Sequence, residues 1–310
     1  TGQYAPGSTF KLVTAAAALS NGLIDGNSSI YDDGVYRVGN PVQEFTNAGK
    51  EKYGNVNVVR GLTVSSDVYF YWLGDRMDGT TLIQDAATAF GFDKRTGIDL
   101  PNESAGYVLT KAEKKALSKK YPDAYPNGDW YTGDNVQLAV GQNVIVVTPL
   151  QLARAYAAFA NGGTVYQPHV VWKILRPNST TTDPSDVLRV LEPVVTGTVT
   201  LPPDVRGPIA SGLEGVTSGS GTGASAFVGF DQQAFRIVGK TGTAQVDGKA
   251  DTSLFASYGP ALSPKWVVAA VMEESGFGSE ASGEVARRIY EVIANQALTG
   301  AGTATNGSMD

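Results

Sequence analysis

Ser8-Thr9-Phe10-Lys11 sets a hydroxyl and an amine three residues apart. On a helix that spacing puts both side chains on one face, close enough for a neutral amine to take the hydroxyl proton. Alone the tetrad is a weak signal, because about one is expected by chance in a chain of this length, and a capped structural helix is the simpler account of it. Two other stretches share its chemistry. Ser65-Ser66-Asp67 places a second serine two residues before a carboxylate. Lys240-Thr241-Gly242-Thr243 offers an amine, two hydroxyls suited to a carboxylate, and a glycine where a flat ligand backbone needs close approach.

Composition narrows the catalytic options further. The 310 residues include no cysteine and one histidine, which excludes thiol nucleophiles, disulfide frameworks and Cys/His zinc clusters. A Ser-His-Asp triad would have to use His169, in Gln167-Pro168-His169-Val170-Val171, where a loop-to-strand histidine without a chemical role is the simpler account. The base of an enzyme built this way is therefore a lysine or a carboxylate. A net charge of −6 without a basic stripe interleaved with aromatics argues against nucleic acid as a partner. The basic run from Lys111 to Lys120 reads as a solvated helix face.

Several elements must position these groups. Tyr4-Ala5-Pro6-Gly7 is a turn, and Ser8 to Leu19 an alanine-rich helix closed by Asn21-Gly22, which puts Ser8 at a helix N-terminus. Gly, Asn and Asp from Asp25 to Asn55 indicate loops and small strands, and Val56 to Met77 one or two buried helices around Ser65-Ser66-Asp67. Thr148-Pro149-Leu150-Gln151 opens a helix with a capping box, ending at Asn161-Gly162-Gly163. Val187 to Val194, Ile237 to Val246, Ser253 to Tyr258 and Trp266 to Met272 are β-branched or aromatic runs that predict an antiparallel sheet. A helix over Ser282 to Leu298 and a polar tail follow, so the chain is of the α+β class.

The order and separation of the three motifs resemble those of the penicillin-recognising serine acyltransferases. Tyr4 to Lys11 (YAPGSTFK) is similar to the active-site signature of class B penicillin-binding proteins, the transpeptidases of peptidoglycan synthesis. Gly97-Ile98-Asp99-Leu100-Pro101, Gly133-Asp134, Ala139-Val140-Gly141-Gln142, Thr148 to Ala153 and Gly239 to Gln245 resemble the same family, so the likeness covers nearly the whole chain. Asp67 followed by Val68-Tyr69-Phe70-Tyr71 is similar to the elongation type, often called penicillin-binding protein 2.

The resemblance implies a transpeptidase fold shared with serine β-lactamases, in which helices flank an antiparallel sheet beside a mainly helical subdomain. It implies that Ser8 attacks a D-Ala-D-Ala stem peptide, with Lys11 as base and Ser65 as proton relay oriented by Asp67. The N–H groups of Ser8 and Thr243 would form the oxyanion hole, and Lys240, Thr241, Gly242 and Thr243 would hold the substrate. β-Lactam antibiotics would acylate Ser8, and an acceptor amine would complete the cross-link. Elongation-machinery membrane proteins would meet a part upstream of this chain, at the outer face of the bacterial cell membrane.

The chain opens at Thr1 and reaches its first motif by the eighth residue. The expectation is a transpeptidase domain over 1–298, lacking an anchor and the sheet strand that precedes the active-site helix in the family, with a flexible tail over 299–310. Some elongation-type relatives carry zinc on His and Cys ahead of the S-x-D motif. Asp32 to Ser66 contains neither, so no metal and no cofactor is expected. Asp251-Thr252-Ser253 stands where many relatives have a His or aromatic pair at the acceptor edge. A serine β-lactamase, a D,D-carboxypeptidase and a penicillin sensor would keep the same motifs. Tyr53-Gly54-Asn55, similar to a class D β-lactamase motif, precedes Ser65 rather than following it, and no stretch resembles the class A glutamate loop.

Overall fold

The computed structural model describes residues 2–246 and 248–296. The expected tail over 299–310 and the end of the last predicted helix, Leu298, lie outside the described residues.

The helix expected to begin at Ser8 begins differently. A 3₁₀ turn, Gly7–Phe10, leads into helix α1, Lys11–Ser20. Gly7 has φ +52°, and a Cβ there would strike the Thr243 backbone, so the first turn is set by close packing rather than by α-helical propensity. Four consecutive alanines, Ala15 to Ala18, allow approach from all sides, and every residue from Lys11 to Leu19 is buried.

Short strands follow: β1 (Ser29–Asp32), β2 (Val35–Val38), β3 (Gln43–Thr46) and β4 (Gly54–Asn57), with β1 paired to β4 and β2 to β3. Helices α2 (Val58–Thr63), α3 (Asp67–Arg76) and α4 (Leu82–Ala89) come next. Strand β5 (Tyr107–Val108), α5 (Lys111–Lys120), α6 (Thr132–Ala139) and β6 (Ile145–Val146) complete a mainly helical lobe in which α3 packs on α6. Helix α5 buries no residue, as expected for a solvated face. Helix α7 (Pro149–Ala160) starts with the expected capping box, Thr148 and Gln151 bonding each other's backbone N–H with Pro149 inside the first turn.

Beyond α7 one expectation needs correcting. Val187 to Val194 is not part of the main sheet: β9 (Val187–Val190) pairs with β8 (Lys173–Leu175), whereas β10 (Val194–Thr198) pairs with β7 (Thr164–Gln167). Pro193 interrupts the run, and Leu188, Val190, Val194 and Val195 are all exposed, so these ribbons form an arm that the core does not bury. Helix α8 (Pro203–Val216) then returns the chain to α2 and to the main sheet.

That sheet is antiparallel in the order β11 (Val238–Ala244), β12 (Thr252–Gly259), β13 (Trp266–Met272), followed by α9 (Ser282–Ile293). Central β12 is buried along its length, and its alternation divides two cores. Leu254, Ala256 and Tyr258 join the main core with α1 and α7, while Phe255 packs with Phe227, Ala286 and Tyr290 beneath α9. Among the described residues β11 and β13 are the two edges, and β11 carries Lys240 to Thr243 against the 3₁₀ turn.

Candidate active site

Three elements bring the motif residues together: the 3₁₀ turn with α1, the turn into α3, and β11. The 3₁₀ turn is pinned from several sides. Gly7 N–H donates to Gly141 O at 2.9 Å, Thr9 Oγ1 to Pro6 O at 2.6 Å, and the buried Tyr156 hydroxyl of α7 to Thr9 O at 2.9 Å. Ser8 is half-buried, and among the described residues its hydroxyl has no protein hydrogen bond.

Lys11 is wholly buried three residues further on. Its Nζ donates to Ser65 O at 2.8 Å, Ser65 Oγ at 3.1 Å and Asp67 Oδ1 at 2.6 Å, three acceptors for the three protons of an ammonium. The Phe70 ring centroid lies 5.2 Å from the same nitrogen. Burial pushes the Lys11 amine below a lysine's ordinary value, and the Asp67 carboxylate opposes that shift. Ser65 and Asp67 therefore both face the lysine.

Lys240 is also wholly buried, with one protein acceptor among the described residues, Thr241 O at 3.2 Å. Burial, and after it the charge of Lys11, push its amine well below the ordinary lysine value. Thr241 is buried, its hydroxyl 2.6 Å from Thr222 Oγ1, while Thr243 is the more open of the two threonines. The glycine of K-T-G has a different origin from the one its sequence suggested. A Cβ on Gly242 would lie 2.9 Å from Thr9 Cγ2 and 3.0 Å from Pro6 O, so glycine is what lets β11 approach the 3₁₀ turn. Gly242→Ala is expected to lower stability by about 1–3 kcal/mol, because Thr9 and the Pro6 backbone must shift. An unchanged melting temperature would show that this contact yields freely.

Other site residues carried no local signal of their role. Gln142 Nε2 donates to Thr243 O at 3.0 Å, so the Gly141-Gln142 turn holds both the 3₁₀ turn and β11. Thr222 comes from a Gly/Ser-rich loop that reads only as a turn. Tyr53 is half-buried, and burial followed by the charge of Asp67 raises its hydroxyl. His169 is exposed, with Nδ1 2.7 Å from Val171 O in the arm, and is not brought to these groups. A cavity of about 260 Å³ adjoins the end of β11, lined in part by Tyr4, Ala244, Lys249 and Glu273.

The residues ahead of S-x-D do not fit zinc. The buried polar side chains there, Asp32, Asn47 and Ser66, comprise one carboxylate, one amide and one hydroxyl already hydrogen-bonded to one another.

The 3₁₀ turn that carries Ser8, the buried Lys11 with Ser65 and Asp67 on its amine, and the K-T-G edge strand thus lie together at one place in the fold. The chain belongs to the penicillin-binding protein transpeptidase domain family, whose profile matches residues 1–291. It is 30% identical to the peptidoglycan D,D-transpeptidase MrdA of Haemophilus influenzae over 96% of this chain and 45% of that protein. It is likewise 30% identical to MrdA of Escherichia coli K12, over 94% of this chain and 46% of the relative. The chain thus spans about half the length of these relatives. Among solved structures it resembles Pseudomonas aeruginosa PBP2 in complex with WCK 5153, with a TM-score of 0.78 and 28% identity over 94% of this chain and 61% of that one. Helicobacter pylori PBP2 in complex with MreC matches with a TM-score of 0.75 and 25% identity, over 94% and 50% of the two chains.

Proposed function

We propose that this chain is the acyl-transferring domain of an elongation-type peptidoglycan D,D-transpeptidase. The observation that carries this is Lys11, buried and bonded to both Ser65 and Asp67, three residues after a half-exposed Ser8 whose hydroxyl has no protein hydrogen bond among the described residues. Neutral Lys11 takes the Ser8 proton as Oγ attacks the carbonyl of the penultimate D-alanine. The N–H groups of Ser8 and Thr243 receive the oxyanion, and the C–N bond breaks as Ser65 relays a proton to the departing D-alanine amine. Asp67 orients the relay. Lys240, Thr241 and Thr243 hold the terminal carboxylate beside Gly242, with Thr243 on the open side. The amine of a second stem peptide then attacks the Ser8 ester, forms the new amide and returns the serine.

The partners on this reading are D-Ala-D-Ala donor peptides, amine acceptors and β-lactams, with no resident metal or cofactor. The Helicobacter pylori PBP2–MreC complex supports an elongation-machinery protein of the MreC kind as a further partner. The site belongs on the extracytoplasmic side of the bacterial membrane. Among the described residues no helix is long and apolar enough to cross one.

Incubation with a labelled β-lactam tests the reading. One equivalent of long-lived label is expected, mapped by mass spectrometry to the peptide containing Ser8. Rapid loss of label with continuing hydrolysis would make the protein a β-lactamase. Release of D-alanine without cross-linking by the full-length protein would make it a carboxypeptidase, and stable label without either activity a sensor.

A further inference from the structure

Ser65 has φ +58°, a left-handed backbone that residues other than glycine rarely adopt. That conformation accompanies the delivery of both its carbonyl and its hydroxyl to Lys11. The residues that follow are held by a buried knot centred on Asp32, the last residue of β1, which is 0% exposed. Asp32 Oδ1 accepts from Gly34 N–H and Asn47 Nδ2, both at 2.9 Å. Its Oδ2 accepts from Ser66 Oγ at 2.6 Å and from Asn47 Nδ2 at 2.9 Å.

Both side-chain partners of Asp32 hold the start of α3. Ser66, its hydrogen committed to Asp32, accepts from Tyr69 N–H at 3.1 Å as the N-cap, and Asn47 Oδ1 accepts from Val68 N–H at 3.0 Å. Two of the helix's unpaired first-turn donors are thus satisfied by side chains that are both anchored on one carboxylate. Among the described residues no cation forms an ion pair with Asp32.

We propose that Asp32 is a positioning residue for acyl transfer, which through Ser66 and Asn47 locks the turn into α3 with Ser65 and Asp67 on Lys11. The proposal rests on the site being a serine acyltransferase. It assigns to a carboxylate, an amide and a hydroxyl the bracing of S-x-D, at the place where the family resemblance raised the prospect of zinc. Its charge also reaches the base: Asp32, like Asp67, favours the ammonium of Lys11. Also facing this centre are Lys240 from β11, Tyr53 and Tyr71, both of which sense Asp67, and the Phe70 ring, 5.2 Å from the Lys11 amine.

The test is the second-order rate of labelled β-lactam acylation across pH, with thermal melting alongside, for wild type, Asp32→Asn and Ser66→Ala. In Asp32→Asn the new amide presents hydrogens where Asn47 or Ser66 already donates. The plateau rate is expected to fall at least about tenfold, and the rising limb to move to lower pH because a charge favouring the Lys11 ammonium is gone. Ser66→Ala keeps that charge, so its plateau falls while its limb stays in place. A purely structural Asp32 would leave the limb unmoved in both variants, and wild-type rates in either variant would overturn the proposal. If Asp32→Asn does not fold, Ser66→Ala decides: a tenfold loss at wild-type melting temperature supports the lock, and an unchanged rate removes it. Absence of label on the wild type would defeat the acyltransferase reading and this inference together, whereas a failure confined to the variants concerns Asp32 alone.

Discussion

Lys11→Met is expected to lower β-lactam acylation of Ser8 by about a thousandfold and to abolish its pH dependence in the neutral to alkaline range. Methionine keeps the volume of the buried stem and removes the amine that is hydrogen-bonded to Ser65 three residues after Ser8. The wild-type arrangement, three acceptors around Nζ, describes the resting ammonium, and only the neutral amine can take the Ser8 proton. Burial lowers the pH at which that amine becomes available, and Asp67 limits the gain. The wild-type rate should therefore climb as pH rises through the lowered Lys11 value, while the variant profile stays low and flat. Residual acylation would come from the Ser8 and Thr243 N–H groups, which the substitution leaves in place. Stopped-flow acylation over pH 6 to about 10, where ordinary lysines titrate, reads both effects. A variant that kept the rising limb would place the base elsewhere, with Lys240 the first candidate.

Ser8, Lys11, Ser65, Asp67 and the K-T-G strand were legible in the sequence because each motif's chemistry is written in consecutive residues. The same holds for the capping box at Thr148 and Gln151, whose partners are three residues apart. What was not legible acts across the chain. Gln142 reaches Thr243 over 101 residues, and Ser66 meets Asp32 over 34, with only side-chain types that occur in any turn. Gly242 looked like a ligand-facing glycine, yet the atoms that demand it belong to Pro6 and Thr9, on a different element. The arm escaped for a related reason: a β-branched run states that it forms a strand, and only its partner decides which sheet receives it.

Lys240→Met should separate stability from catalysis. The Lys240 ammonium is wholly buried and donates to a single protein acceptor among the described residues, while Lys11, equally buried, has three. Burial and the neighbouring Lys11 charge both disfavour the protonated form, and Asp67 only partly compensates. The folded value thus lies well below 10.5, the value of a free lysine. A group lowered in this way contributes stability that is complete above its unfolded value and lost as pH falls through its folded one. Below that folded value the wild type bears the cost of a buried, under-bonded cation. Methionine removes it, so the variant should be more stable by about 1–3 kcal/mol under those conditions, a gain that shrinks as pH approaches the lysine range. Acylation should fall by about a hundredfold, because the positive charge beside Gly242 that receives the substrate carboxylate is gone. Melting curves at several pH values, paired with acylation rates, measure both. A variant less stable than wild type at every pH would mean that Lys240 is held by stronger interactions than its single hydrogen bond, and would remove the basis for assigning this buried charge to catalysis at the expense of the fold.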